Sequence, residues 1–285
     1  MTRRRFTVGK TLLYVFMSLW ALTTIYPFIW VILNSFKPRG LIRSDTFSLP
    51  IGDKFTLENY VTAFKRVDIG TAYVNSIVIS GAVTVVVMVL AGLAAYAMVR
   101  YSFRLRGFLH SMIIASMMFP VFSTIIPVFR MESSWGIVNT GSIWLTRLSV
   151  VLPQIAGNLS FAIIVLMGFI RSLPVDLEEA AYLEGYNVYQ IFFRIIMPLA
   201  KPSFATVGIF TFLWSYNDLF LQMFFLRSKK FFTITRLLNE ISSQAGTNYG
   251  LMVAAVVMVV IPVLVVYIFL QNYIIKGMTA GAVKG

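Results

Sequence analysis

Residues 77–98 read IVISGAVTVVVMVLAGLAAYAM, from Ile77 to Met98, without one charged side chain. At about 1.5 Å of rise per residue, such a stretch crosses the roughly 30 Å hydrocarbon core of a bilayer as a single helix. Five further stretches with few or no charges flank it, at about 12–32 on one side and 107–129, 149–170, 202–226 and 251–270 on the other. The pattern predicts an all-α polytopic membrane protein with six spans, one transmembrane domain over residues 1–285. Composition agrees: 58% of the residues are hydrophobic and 12% charged, against about a quarter charged in a soluble domain. Soluble and disordered classes are excluded.

Cysteine is absent and His110 is the single histidine, so Cys-ligated and His-cluster metal sites are not expected. The formal charge of +13 reads in a membrane protein as topology and anionic lipid, not nucleic acid. Arg3, Arg4 and Arg5 precede an apolar core too long for a signal-peptide h-region, which makes it an uncleaved first span. Basic residues divide evenly between the two sides. The basic tail through Lys10 and the compact turn Arg100, Arg104, Arg106 favour a cytoplasmic N-terminus, and with six spans a cytoplasmic C-terminus.

The loop from Arg171 to Lys201 carries four acids, Asp176, Glu178, Glu179 and Glu184. Pro174 suits the opening of a helix whose early acids complement the dipole, and Gly185 supplies a left-handed stop. Asn187 with Gln190 three residues on reads as a capping box, and Pro198 ends the second helix. Tyr189, Phe192, Phe193 and Ile196 fall on one apolar face of that helix. The lipid interface, the protein's own bundle or a partner would each cover such a face.

Glu179-Ala180-Ala181, then Gly185, then Ile195-Ile196-Met197-Pro198 after nine residues, resembles the E-A-A-x-x-x-G-x(9)-I-x-L-P loop of binding-protein-dependent ABC importer permeases, with Met197 where Leu is usual. Trp214-Ser215-Tyr216-Asn217-Asp218 is similar to a segment of sugar permeases, with Tyr216 in place of a Trp. The end of the chain, Gln271-Asn272-Tyr273 and Lys276 to Gly285, resembles that of the six-span subunit of maltose-transporter-like importers. The resemblance implies a cytoplasmic coupling loop using Glu178, Glu179, Ala180, Ala181, Gly185, Tyr186, Asn187 and Pro198. It also implies a second homologous permease, two ATPase subunits that bind the ATP and Mg, an extracellular or periplasmic sugar-binding protein, and a place in a bacterial or archaeal cytoplasmic (inner) membrane. The chain itself is then a transport subunit with no cofactor and no catalytic residue.

Gly9-Lys10-Thr11 is a decoy for a phosphate loop, since Arg4 stands where that motif needs Gly and an apolar span follows. The polar, glycine-rich residues 271–285 form a tail expected to reach the ATPase pair through Thr279, Gly281 and Lys284. Within the spans, Phe210, Trp214, Asn217 and Asp218 share one helical face beside Tyr216, a candidate sugar pathway. For Asp218 the favoured reading is a packing group bonded to a neighbouring span, with the pathway as the alternative. An ion-coupled secondary transporter would need more buried ionisable groups than this sequence offers, and a membrane enzyme would need acids converging elsewhere than one loop.

Overall fold

The structure, a computed structural model, describes residues 8–66, 68–245 and 248–282, and every regular element among them is helical. In chain order these are α1 (Val8–Ser35), α2 (Arg39–Ser44), α3 (Glu58–Arg66), α4 (Ile69–Arg100), α5 (Arg106–Ser116), α6 (Val121–Ser134), α7 (Ile143–Ile170), α8 (Asp176–Leu183), α9 (Val188–Ile191), α10 (Met197–Leu199), α11 (Lys201–Asn217), α12 (Phe220–Phe225), α13 (Ile234–Ala245) and α14 (Tyr249–Ala282). A π-helical turn, Phe192–Ile196, joins α9 to α10, and 3-10 turns lie at Gly52–Lys54 and Lys229–Phe231.

Among the described residues, α1, α4 and α7 are long and apolar enough to cross a membrane unbroken. The stretch at 107–129 is not one straight helix. It stops at Ser116, and α5 and α6 meet at 104°. Pro120, at φ −65° and ψ 123°, cannot donate to the preceding turn and disfavours helical backbone in Phe119. The stretch at 202–226 also breaks: α11 ends at Asn217, Asp218 is extended at ψ 100°, and α12 restarts at Phe220. The stretch at 251–270 lies inside α14, which runs on to Ala282. Thr279 and Gly281 are therefore on helical backbone, not in an extended tail, because isolated glycines lower helix stability by only about 1 kcal/mol each. Lys284 lies outside the described residues.

The chain divides into two compact units. The first takes Met1–Asp68 and Leu238–Pro262. Its α1 leaves most apolar side chains uncovered by this chain, as a lipid- or partner-facing helix would. After α1 the chain is tied by its own polar groups. Buried Lys37 donates from Nζ to the carbonyls of Asp45 and Thr46, at 2.9 and 2.8 Å. Asn59 donates from Nδ2 to the carbonyls of Ser35 and Lys37. Gly250 packs so closely on Asn59 that a Cβ would collide with its amide.

The second unit, Ile69–Leu237 with Val263–Gly285, is built on α4, α7 and α11. Val83, Val87, Ala91 and Ala95 form a fully buried stripe on α4 at four-residue spacing. On α7 the same spacing buries Thr146, Val150, Gln154, Asn158, Ala162, Leu166 and Ile170. Small residues permit the close approach: a Cβ on Gly92 would sit 2.8 Å from Phe204, and one on Gly208 3.0 Å from the sulfur of Met88. Packing of this density makes the unit a rigid frame for what hangs from its ends.

Candidate functional site

The loop singled out by the sequence folds as a helix–glycine–helix hairpin. Helix α8 stops where Gly185 takes φ +85°. The Gly185 N–H donates to the carbonyl of Tyr182 at 3.0 Å and the Tyr186 N–H to that of Ala181 at 3.0 Å, the paired bonds of a Schellman stop. Tyr186 is thereby turned onto the core next to Ala181. At the next helix start, the Gln190 N–H donates to Asn187 Oδ1 at 2.9 Å and the Asn187 N–H to Gln190 Oε1 at 2.8 Å, closing the capping box.

The hairpin's second arm departs from the ideal periodicity. The π-helical turn at Phe192–Ile196 widens the repeat, so the face read as Tyr189, Phe192, Phe193 and Ile196 splits in two. Phe192 and Ile196 are buried, while Tyr189 and Phe193 stay exposed. Phe192 packs on Tyr96, ring centroids 5.6 Å apart. Leu183, 91% exposed, stands with Leu177, Tyr182 and Tyr189 on the uncovered side. Glu179, Ala180 and Pro198 are exposed, and Ala181 is buried.

Glu178 is not on that uncovered side. It is 4% exposed and turned onto α4, where Oε1 accepts from Arg100 Nε at 2.5 Å and Oε2 from the Tyr96 hydroxyl at 2.8 Å. Arg100 Nη2 also donates to the carbonyl of Leu173 at 2.9 Å. A hydroxyl pair, Tyr101 with Tyr182 at 3.0 Å, lies beside this cluster, and the bond pushes the Tyr182 hydroxyl above the ordinary tyrosine value. It stays protonated at neutral pH. The grouping can fix the hairpin to the end of α4, while the Glu179 carboxylate one position on remains open to a basic partner. Tyr96 and Arg100 carried a signal in the sequence, as a four-residue pair at the end of a span opposite an acidic loop.

The second candidate region is the break after α11. Ending a helix inside an apolar bundle strands carbonyls, which need partners. The Ser215 carbonyl takes the amides of Gln222 at 3.1 Å and Gln154 at 3.5 Å, and the Ser215 hydroxyl donates to Gln154 Oε1 at 2.6 Å. Gln222 Oε1 accepts from the hydroxyls of Thr233 and Thr235, and Thr235 donates also to the carbonyl of Tyr216. Asp218 is drawn into the same network: Oδ2 accepts from Gln154 at 3.0 Å and Oδ1 from the Leu221 N–H at 3.1 Å, capping α12. Neutral Gln154 and Gln222 do not interrupt hydropathy and escaped the sequence reading.

The predicted pathway face is therefore changed. Asp218 leaves the helix, and Tyr216 is buried against Phe212. Phe210, Trp214 and Asn217 remain on α11, with Trp214 and Asn217 exposed. Phe161 of α7 joins them, its ring edge-on to Trp214 at 4.8 Å and to Phe210 at 6.0 Å. Asn217 holds the Leu213 carbonyl through Nδ2. A cavity of about 390 Å³ lies where α5 and α6 meet α7 and α12, lined by Met117, Phe119, Pro153, Gly157, Leu221 and Phe225.

Residues 88–280 match the family described as binding-protein-dependent transport system inner membrane component. A diacetylchitobiose uptake system permease of Streptomyces coelicolor is 33% identical over 95% of this chain and 88% of its own. A trehalose transport system permease of Mycobacterium tuberculosis is 32% identical over 91% of this chain and 92% of its own. Among solved structures, a chain of a bacterial ABC transporter involved in the import of the acidic polysaccharide alginate shares the fold, with a TM-score of 0.80 at 24% identity over 96% of this chain and 99% of that one.

Proposed function

The chain belongs to the family of binding-protein-dependent transport system inner membrane components, and from that premise we propose that it is one of two permease subunits of an ATP-driven importer for a sugar or oligosaccharide. The exposed hairpin carries the reading: an apolar and acidic knob on a rigid frame, with its polar backbone satisfied internally, suits the cleft of an ATPase. The other parts follow. A second homologous permease completes the pathway, two ATPase subunits hold ATP and Mg, and an extracellular or periplasmic binding protein delivers the sugar. The hairpin and both termini lie in the cytoplasm, and the membrane is the cytoplasmic one.

Glu179 pairs with a basic group of the ATPase, Ala180 and Leu183 fill its cleft, and Tyr186, Asn187 and Pro198 hold the hairpin's shape. The end of α14, with Thr279 and Gly281, and Lys284 beyond it reach toward the ATPase pair. Phe210, Trp214 and Asn217, with Phe161, face the sugar. The work is conformational. ATP binds the closed ATPase pair better than the open one, and that affinity difference is what moves the hairpin and reorients the spans. Mg-ATP alone should drive no chemistry on this chain.

Copurification tests the reading. An affinity tag on this chain should bring down a second permease and an ATPase, and Glu179→Cys should crosslink to the ATPase in the assembled complex. A tagged chain that purifies alone and supports transport by itself would overturn it in favour of a secondary transporter.

A further inference from the structure

The geometry points to α4 as the rod that carries the state of the coupling hairpin to the opposite face of the membrane, with Tyr96 and Arg100 at one end and Asn75 and Ser76 at the other as positioning residues. The inference rests on the importer reading and names the path that reading needs. Helix α4 is continuous from Ile69 to Arg100, whereas α5 with α6 and α9–α10 with α11 are bent by 104° and 82°. Asn75 and Arg100 stand 25 positions apart, about 37 Å along the axis. That exceeds the roughly 30 Å hydrocarbon core.

Both ends grip a connecting segment by buried polar bonds. At one end Glu178 and the Leu173 carbonyl are held by Arg100 and Tyr96. At the other, Asn75 Nδ2 donates to the carbonyls of Lys230 and Phe232, at 3.2 and 3.1 Å, and Ser76 Oγ accepts from the Ile234 N–H at 2.8 Å. Arg147 of α7 donates to Asn75 Oδ1 at 2.9 Å and fixes the amide's orientation. Asn75 and Ser76 are each 1% exposed, and at the near grip Tyr96 and Glu178 are 2% and 4% exposed, so both grips are shielded from bulk water. Between the grips the shaft runs against α7 and α11 along Val83, Val87, Ala91 and Ala95. Helix α4 runs unbroken and without proline between its two grips, so a displacement of the hairpin has a continuous path to the segment around Lys230.

The chain has no cysteine, which allows one reporter. Lys229→Cys, exposed beside the far grip, is placed in the full complex in proteoliposomes, and its labelling by a membrane-impermeant maleimide is read on this subunit with and without ATP and vanadate. In the otherwise unaltered complex the rate should change several-fold with nucleotide. Arg100→Gln with Glu178→Gln removes the near ion pair without leaving a lone buried charge, and Ser76→Ala loosens the far grip. Each should reduce the nucleotide effect by a factor within roughly 2 to 30 while ATP hydrolysis continues, and the two together should cost less than the sum of both. Should the paired glutamine variant fail to assemble, Ser76→Ala alone decides. An unchanged nucleotide effect in the variants that assemble, or none in an unaltered complex that hydrolyses ATP, would overturn the inference. A complex without any ATPase would instead overturn the importer reading.

Discussion

Replacing Gly185 isolates one physical variable at the helix–glycine–helix hairpin. Its φ is +85°, and a Cβ built there meets nothing within 4 Å, so the cost of any side chain is backbone strain without collision. A residue other than glycine in the left-handed region costs about 1–2 kcal/mol, more when β-branched, and least for Asn. The series Gly185→Asn, Gly185→Ala and Gly185→Val should thus cost roughly 0.5, 1–2 and 2–3 kcal/mol locally. What is strained is the pair of bonds from Gly185 and Tyr186 to Tyr182 and Ala181. A 2–3 kcal/mol penalty shifts the balance between closed and frayed hairpin by roughly 30- to 150-fold. Hydrogen exchange of these two amides in the purified complex reads that shift directly. ATP-driven uptake should decline in the same order, while the amount of complex in the membrane stays constant. Equal amide protection in the Val and Asn variants would refute the strain argument, and normal uptake by an intact Gly185→Val complex would refute the hairpin's role in coupling.

Gly92→Ala should destabilise the second unit by about 1–3 kcal/mol through overpacking, because the new methyl lies 2.8 Å from Phe204 and 3.0 Å from Phe192; thermal unfolding in detergent checks it, and an unchanged melting temperature refutes it. Gln222→Leu removes the amide from the Ser215 carbonyl and leaves the Thr233 hydroxyl without its acceptor, a loss of about 1–3 kcal/mol. The same measurement should show it, together with faster exchange in α12. Asn217→Ala leaves the buried network intact, since Asn217 bonds only the Leu213 carbonyl among its described contacts. It should alter apparent sugar affinity in uptake assays with little change in melting temperature, and Trp214→Ala should do so more strongly.

Long unbroken apolar runs made α1, α4 and α7 legible as helices able to cross a membrane, since such a crossing needs some twenty apolar residues in a row. The hairpin was legible for a different reason: Gly185, Asn187 and Gln190 act on bonds three or four residues away, so local spacing states the geometry outright. Which of two adjacent glutamates turns inward was not legible. Successive helix positions differ by about 100°, and only the location of Arg100 and Tyr96, some 80 residues earlier, assigns Glu178 to the interior and Glu179 to the surface. Hydropathy averages over the breaks in the stretches at 107–129 and 202–226, so only a residue with a backbone effect of its own could reveal them. Pro120 marked one of them; the other depends on amides from Gln154 and Gln222 reaching a carbonyl that the sequence shows as ordinary backbone.

These breaks and the straight α4 answer one physical demand in opposite ways. In lipid an interrupted helix needs substitute partners for every freed carbonyl, and for the Ser215 carbonyl those partners are flexible side chains of α7 and α12, Gln154 and Gln222. Such bonds can be exchanged one at a time, each at about 0.6–2 kcal/mol within a membrane bundle, so the region around Asp218 can rearrange through small steps. Helix α4 offers no such exchange: its backbone bonds are internal and its buried stripe is made of Val and Ala, leaving only its two ends to respond. Under the importer reading proposed above, a transport cycle uses both kinds of element, one that deforms and one that does not. The neutral amides at the break and the charged pair at the Arg100 end of α4 are divided accordingly, since a lone buried charge would cost several kcal/mol at each separation.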